Sequence, residues 1–115
     1  MSNVFQVFQT ALATTPYPVT QPPAMGDAPV YLSFFEVLGR PDSFASNEAR
    51  RVIHTMQVDI WGRQAIGPEF LVVAQALRAA GVRVSSWGPA DYEQDTRWHH
   101  LPVTCYYTTT TEMEE

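Results

Sequence analysis

Few side chains in this 115-residue sequence have types and spacings that could do chemistry. His54, His99, His100 and Cys105 are its strong transition-metal ligand types. His99 and His100 are adjacent, and neighbours on a strand point to opposite faces, so the pair does not share one ion and no metal site is expected. A nucleophilic cysteine needs a base beside it, whereas Cys105 alternates with Val103 and Leu101 on what should be an inner face, the position of a buried thiol. Asp91, Glu93 and Asp95 fall in an expected loop, but no glycine-turned loop with a terminal glutamate follows, so a solvated turn is expected in place of a calcium site. His99 or His100 with Asp95 is the acid–base pair left for an enzyme of unrecognised type. Phosphate-cradling glycine loops, nucleophile elbows and nucleotide fingerprints are absent from the sequence. The expectation is therefore a non-enzymatic protein without a cofactor.

The elements that must position these residues follow from periodicity. Val4, Phe5, Phe8, Ala11 and Leu12 recur at helical spacing over residues 3–14, with Ser2 or Asn3 as N-cap. Prolines 16 and 18 stop that helix, and residues 21–29 carry three more prolines and Gly26, an irregular crossing. Residues 30–38 read as a strand, followed by the turn signal Gly39-Arg40-Pro41-Asp42 and a long loop. A second strand covers residues 51–61, where Val52, Met56, Val58 and Ile60 alternate with Thr55, Gln57 and Asp59, the pattern of a sheet with one wet face. Gly67-Pro68-Glu69 opens the clearest helix, Gly81 closes it, and Phe70, Val73, Ala74, Leu77 and Ala80 form its apolar stripe. Strands at 82–87 and 98–109 complete the order α-β-β-α-β-β. The expected fold class is α+β: one domain with a four-stranded antiparallel sheet packed against helices on one face, residues 111–115 forming a flexible acidic tail.

Composition bounds the partners. The longest apolar runs are a few residues, far short of the roughly 20 a bilayer span needs, and the N-terminus has no secretory pattern, so an intracellular origin is expected. Net charge is -5 and all seven basic residues are arginine. Scattered arginines do not build a phosphate-neutralising groove. Arginine suits fixed pairing at interfaces, which makes Arg40, Arg50, Arg51 and Arg63 contact candidates, against a simple compositional bias. Trp61 falls on the polar-facing phase of its strand, either exposed or packed at a helix terminus. Phe35 and Val37 alternate with Phe34 and Leu38, leaving the first strand apolar on both faces, and Tyr106 and Tyr107 repeat the symptom. An apolar outer sheet face marks an oligomer contact, and the β-branched run of residues 108–111 suits an edge that pairs with a neighbouring subunit.

The arrangement resembles the tail terminator, or tail completion, proteins of long-tailed bacteriophages. The resemblance lies in a short N-terminal helix, the approach Ala28-Pro29-Val30-Tyr31-Leu32, and a long hairpin returning as Met56-Gln57-Val58-Asp59-Ile60-Trp61. A helix ending near residues 77–81 and an acidic loop with Asp95 before Trp98-His99-His100 complete it. It covers nearly the whole chain. The family implies a hexameric ring at the head–tail junction of the virion, assembled in the host cytoplasm. Such a ring caps the tail tube protein, docks the head connector protein and lets DNA pass through its lumen without sequence-specific binding. On this reading Arg40, Phe44, Arg50, Arg51, Trp61 and Arg63 contact neighbours or partners, and the hairpin loop of residues 39–49 reaches a neighbouring subunit or the tube. A domain of this length has an expected radius of gyration of about 13 Å, and six such bodies in a ring leave a hole wide enough for a duplex. The competing reading is a small-molecule or peptide binding module that uses the apolar sheet face.

Overall fold

A computed structural model describes residues 3–20, 28–41 and 51–110. Helix α1 (Val4–Ala13) begins where Asn3 accepts hydrogen bonds from the amides of Phe5 and Gln6, satisfying donors that a helix start leaves unpaired. Strands β1 (Val30–Pro41) and β2 (Arg51–Gly62) form a long antiparallel hairpin. Helix α2 (Pro68–Ala79) follows, with proline in its first turn, and ends at Gly81, whose φ of 87° is the left-handed geometry that glycine tolerates best. Then come β3 (Arg83–Trp87), β4 (Asp91–Glu93) and β5 (Trp98–Thr110).

Among the described residues the result is α+β with two helices and five strands, the strands all paired antiparallel. The order across the sheet is β1-β2-β5-β3, with β4 also on β5. The expected four strands become five because β3 and β4 lie end to end along the outer side of β5, pairing with its residues 103–106 and 98–100 respectively. Gly88 stands in the interruption between them at φ 99°. Asp91 and Glu93, expected in a loop, therefore lie on a strand, and the turn to β5 is confined to residues 94–97. The first strand also outruns its expected end. A bulge between Glu36 and Leu38 shifts the register by one residue, and pairing continues through Arg40↔Ile53 and Pro41↔Val52. The Gly-Arg-Pro signal fails as a turn because β1 is an edge strand, where a proline need not donate to a ladder. Residues 42–50, including Phe44 and Arg50 of the expected contact loop, lie outside the described residues, as do 111–115.

One face of the sheet carries both helices. Leu32 and Phe34, then Met56, Val58 and Ile60, then Leu101, Val103 and Cys105 all fall on this face by the two-residue period and meet Phe8, Leu12, Val73 and Leu77. Cys105 is fully buried here as expected, and burial pushes its thiol up to about 12. The long hairpin stretches the molecule to 50 × 24 × 24 Å with a radius of gyration of 15.7 Å, above the ~13 Å of a compact body of this length. No described helix is long and apolar enough to cross a membrane.

Candidate functional site

The face of the sheet opposite the helices has two regions. At one end Tyr31, Trp61 and Trp98 form a second buried cluster, separate from the main core. Register brings them together, since Tyr31 pairs with Trp61, Trp61 pairs with His100, and Trp98 lies on the same phase as His100. Tyr31 stacks on Trp61 at 5.9 Å between ring centroids and meets Trp98 edge-on at 5.1 Å. His100 stacks on Trp61 at 4.2 Å. The Arg63 guanidinium lies 3.8 Å above the Trp98 ring and donates to the carbonyl of Thr96, closing the cluster from solvent. Trp61 is thus only 9% exposed, and it packs on aromatic neighbours across the strands, not on a helix terminus.

Polar groups inside this end are paired. Trp61 Nε1 donates to Ser33 Oγ at 3.1 Å. The buried Asp59 carboxylate accepts from Gln57 Nε2 and meets His100 Nε2, each at 2.7 Å, while His100 Nδ1 faces Asp91 at 3.6 Å. The hydrogen bond to Asp59 raises His100 above its ordinary value against the opposing effect of burial; the charges of Asp59, Asp91 and Glu93 push the same way. Each imidazole nitrogen faces a carboxylate, and neither of those is Asp95, the partner considered from sequence. The group ties β2, β5 and β4 together as a charged cross-strand contact. His99 points to the other face, where its ring meets Tyr92 at 4.7 Å. Among the described residues, no three histidine, cysteine, aspartate or glutamate side chains gather into a metal site.

The exception is the Tyr31 hydroxyl, which is buried and has no hydrogen-bond partner among the described residues. Burial, aided by the charges of Glu93 and Asp59, pushes its phenol up to about 12. An unpaired buried hydroxyl costs about 1–3 kcal/mol, so Tyr31→Phe should leave stability unchanged or raise it by about 1 kcal/mol. Chemical denaturation checks this; a loss above about 1 kcal/mol would show that the hydroxyl is bonded in solution.

Apolar side chains are exposed on both helices, at Phe5 of α1 and Leu71 of α2, and on both margins of the sheet. Of the large apolar side chains that remain exposed, Phe35, Val37 and Leu38 lie on edge strand β1, and Trp87 and Tyr92 lie on the opposite margin formed by β3 and β4. Trp87 rests partly on Phe70 of α2, at 4.5 Å between centroids. Phe34 faces the helices and Phe35 the other way, so this strand is apolar on both faces, but the bulge moves Leu38 off the phase of Phe34, where the sequence alternation placed it, onto the face of Phe35. Of the contact residues expected from sequence, Arg40 and Arg51 are exposed at the far end of the hairpin. Trp61 and Arg63 are committed to the aromatic cluster, with Trp61 roughly 27 Å from the level of Arg40 and roughly 34 Å from Arg51 at 3.3–3.4 Å per residue along β2. The four do not form one patch. The aromatic cluster and the Asp59–His100 contact escaped sequence reasoning because they depend on register between strands distant in sequence; the shared phase of Asp59 with Trp61, and of Trp98 with His100, was the available signal.

No protein-family model matches the sequence, and comparison with curated proteins gives no match.

Proposed function

We propose that this chain is a non-enzymatic structural protein of a long-tailed bacteriophage. It closes into a ring, most simply a hexamer, at the head–tail junction, where it caps the tail tube and joins it to the head connector while DNA passes through its lumen. The observation that carries the reading is the exposed apolar surface on both margins of one sheet, Phe35, Val37 and Leu38 on one side and Trp87 and Tyr92 on the other. Two different sticky edges on one protomer favour head-to-tail association, which closes into rings when the rotation permits.

Dimensions support six copies. Bodies 24 Å across, standing with their long axes along the ring axis, leave an opening about 24 Å wide when six touch, against about 10 Å for four. A duplex with grooves roughly 8 Å deep on either side of its axis passes the first and not the second. A net charge of -5 suits a lumen along which phosphates slide.

A concavity of about 520 Å³ between α1 and α2, lined in part by Val7, Ala11, Ala76, Ala79 and Tyr107, favours the alternative of a small-molecule or peptide binding module. It lies on the helix side, whereas the apolar sheet face was the expected location. Incubation with purified tail tubes separates the two readings. On the tail reading, micrographs show added density at one end of each tube; tubes with unaltered ends and no bound protein would refute it.

A further inference from the structure

We propose that the hollow framed by Arg40 and Arg83 binds a small phosphate monoester, with the phosphate held between the two guanidiniums and the esterified group lying on Ile53 and Tyr106. The hollow has a volume of about 340 Å³ and is lined by Arg40, Ile53, Gly81, Arg83, Tyr106 and Thr108. Register assembles it. Arg40 of β1 pairs with Ile53 of β2, Ile53 pairs with Thr108 of β5, and Tyr106, two residues back along β5, pairs with Arg83 of β3. The arginines therefore stand at opposite ends of the hollow, three strand spacings or roughly 14 Å apart across the sheet and roughly 7 Å apart along it.

Alternation puts these strand side chains on the face away from the helices, since Met56, Val84 and Cys105 of the opposite phase belong to the core side. Arg40 reaches that face because the bulge between Glu36 and Leu38 moves the even-numbered residues beyond it off the phase of Phe34. Acidic residues outnumber basic ones 12 to 7 over the whole sequence, yet the lining holds two arginines and no carboxylate. Among the described residues neither guanidinium has a hydrogen-bond or ion-pair partner, whereas Arg63 is engaged by Trp98 and the carbonyl of Thr96. Two like charges around one hollow repel each other, and an anion between them replaces that repulsion with attraction.

Donor chemistry narrows the ligand. The guanidinium N–H groups only donate, and the hydroxyls of Tyr106 and Thr108 add two further donors. A carboxylate brings a single charge, whereas a phosphate monoester brings nearly two charges and three acceptor oxygens, which suits two guanidiniums approaching from opposite sides. Inorganic phosphate has similar charge but leaves the half-buried Ile53 and Tyr106 uncovered. The volume lies in the range of pockets that take a whole small organic molecule. Both walls come from one chain, so the site stands whether or not copies close into a ring.

Titration calorimetry with phenyl phosphate and inorganic phosphate tests this, at about pH 7.5, where a monoester is mostly dianionic. Phenyl phosphate should bind at one site per chain and several-fold more tightly than inorganic phosphate. Arg40→Gln and Arg83→Gln should each weaken phenyl phosphate about tenfold or more, the loss of charge-assisted hydrogen bonds. Arg97→Gln, at the other end of β5, should change nothing. Both arginines of the hollow are exposed, so the variants keep the wild-type fold, which circular dichroism verifies. Absence of saturable binding at millimolar phenyl phosphate would overturn the site, and binding that survives both substitutions would overturn its placement at Arg40 and Arg83. Inorganic phosphate binding as tightly as phenyl phosphate would overturn the ester. An unphosphorylated single-stranded oligonucleotide should not displace phenyl phosphate; displacement would overturn the monoester in favour of backbone phosphates.

Discussion

Trp98→Ala should lower the unfolding free energy by about 3–5 kcal/mol, the range for removing a tryptophan from a packed interior. Trp98 is 2% exposed although it lies on the face without helices. Its neighbours explain the size of the effect: Tyr31 meets the ring edge-on, and Arg63 covers it and is held in place by Thr96. Truncation would leave a void on this face of the sheet beside Tyr31, and the Arg63 guanidinium would lose the ring beneath it. For a domain of this size the melting temperature should fall by roughly 10–20 °C. Guanidinium titration gives the free energy directly. A loss under about 1 kcal/mol would mean that the second cluster is a surface arrangement and not a core.

The second large effect concerns Asp59 and His100. Asp59→Ala removes one partner of a largely buried pair and leaves the imidazole and Gln57 without their acceptor, at a cost of about 3 kcal/mol near pH 6. The pair also makes stability depend on pH in a definite direction. His100 is raised above 6.5 in the folded protein, so the native state binds its proton more tightly than the unfolded chain does. The stabilisation is therefore complete below pH 6.5 and fades as pH rises through the raised value. His100→Gln should be clearly less stable than wild type near pH 5.5, and the difference should narrow by about pH 8.5. Unfolding curves at several pH values read this out. A gap that stays constant with pH would show that His100 binds its proton no more tightly in the folded protein than in the unfolded chain.

Local rules account for the helices, since Asn3, Pro68, Gly81 and the stripe Val73, Ala74, Leu77 each act through neighbours within a turn or two. They also account for the inner phase of β2 and β5, where alternation alone places Met56, Val58, Val103 and Cys105 in the core. Other features arise from pairing at long range. Residues 39–41 carry turn-forming types yet extend β1, because the ladder with Val52 and Ile53 outweighs a local preference. Asp91 and Glu93 have loop character but are drawn into a strand by Trp98 and His100. Trp61 falls on a phase that should be wet, and only the arrival of Tyr31 and His100 on either side covers it. The exposed apolar residues of β1 were recognisable in the sequence because no register could bury both phases in a domain with helices on one face. What the sequence lacked was the matching margin on the far side of the sheet, which exists only once β3 and β4 have taken their places on β5.

The most direct test is the mass of the purified wild-type protein, by sedimentation or mass photometry, from nanomolar to near-millimolar concentration and again with purified tail tubes. A closed ring predicts a single discrete species at about six times the 12.9 kDa chain mass, free at high concentration or bound to tube ends. A 12.9 kDa particle throughout, with nothing retained on the tubes, would contradict the ring and the assembly role built on it.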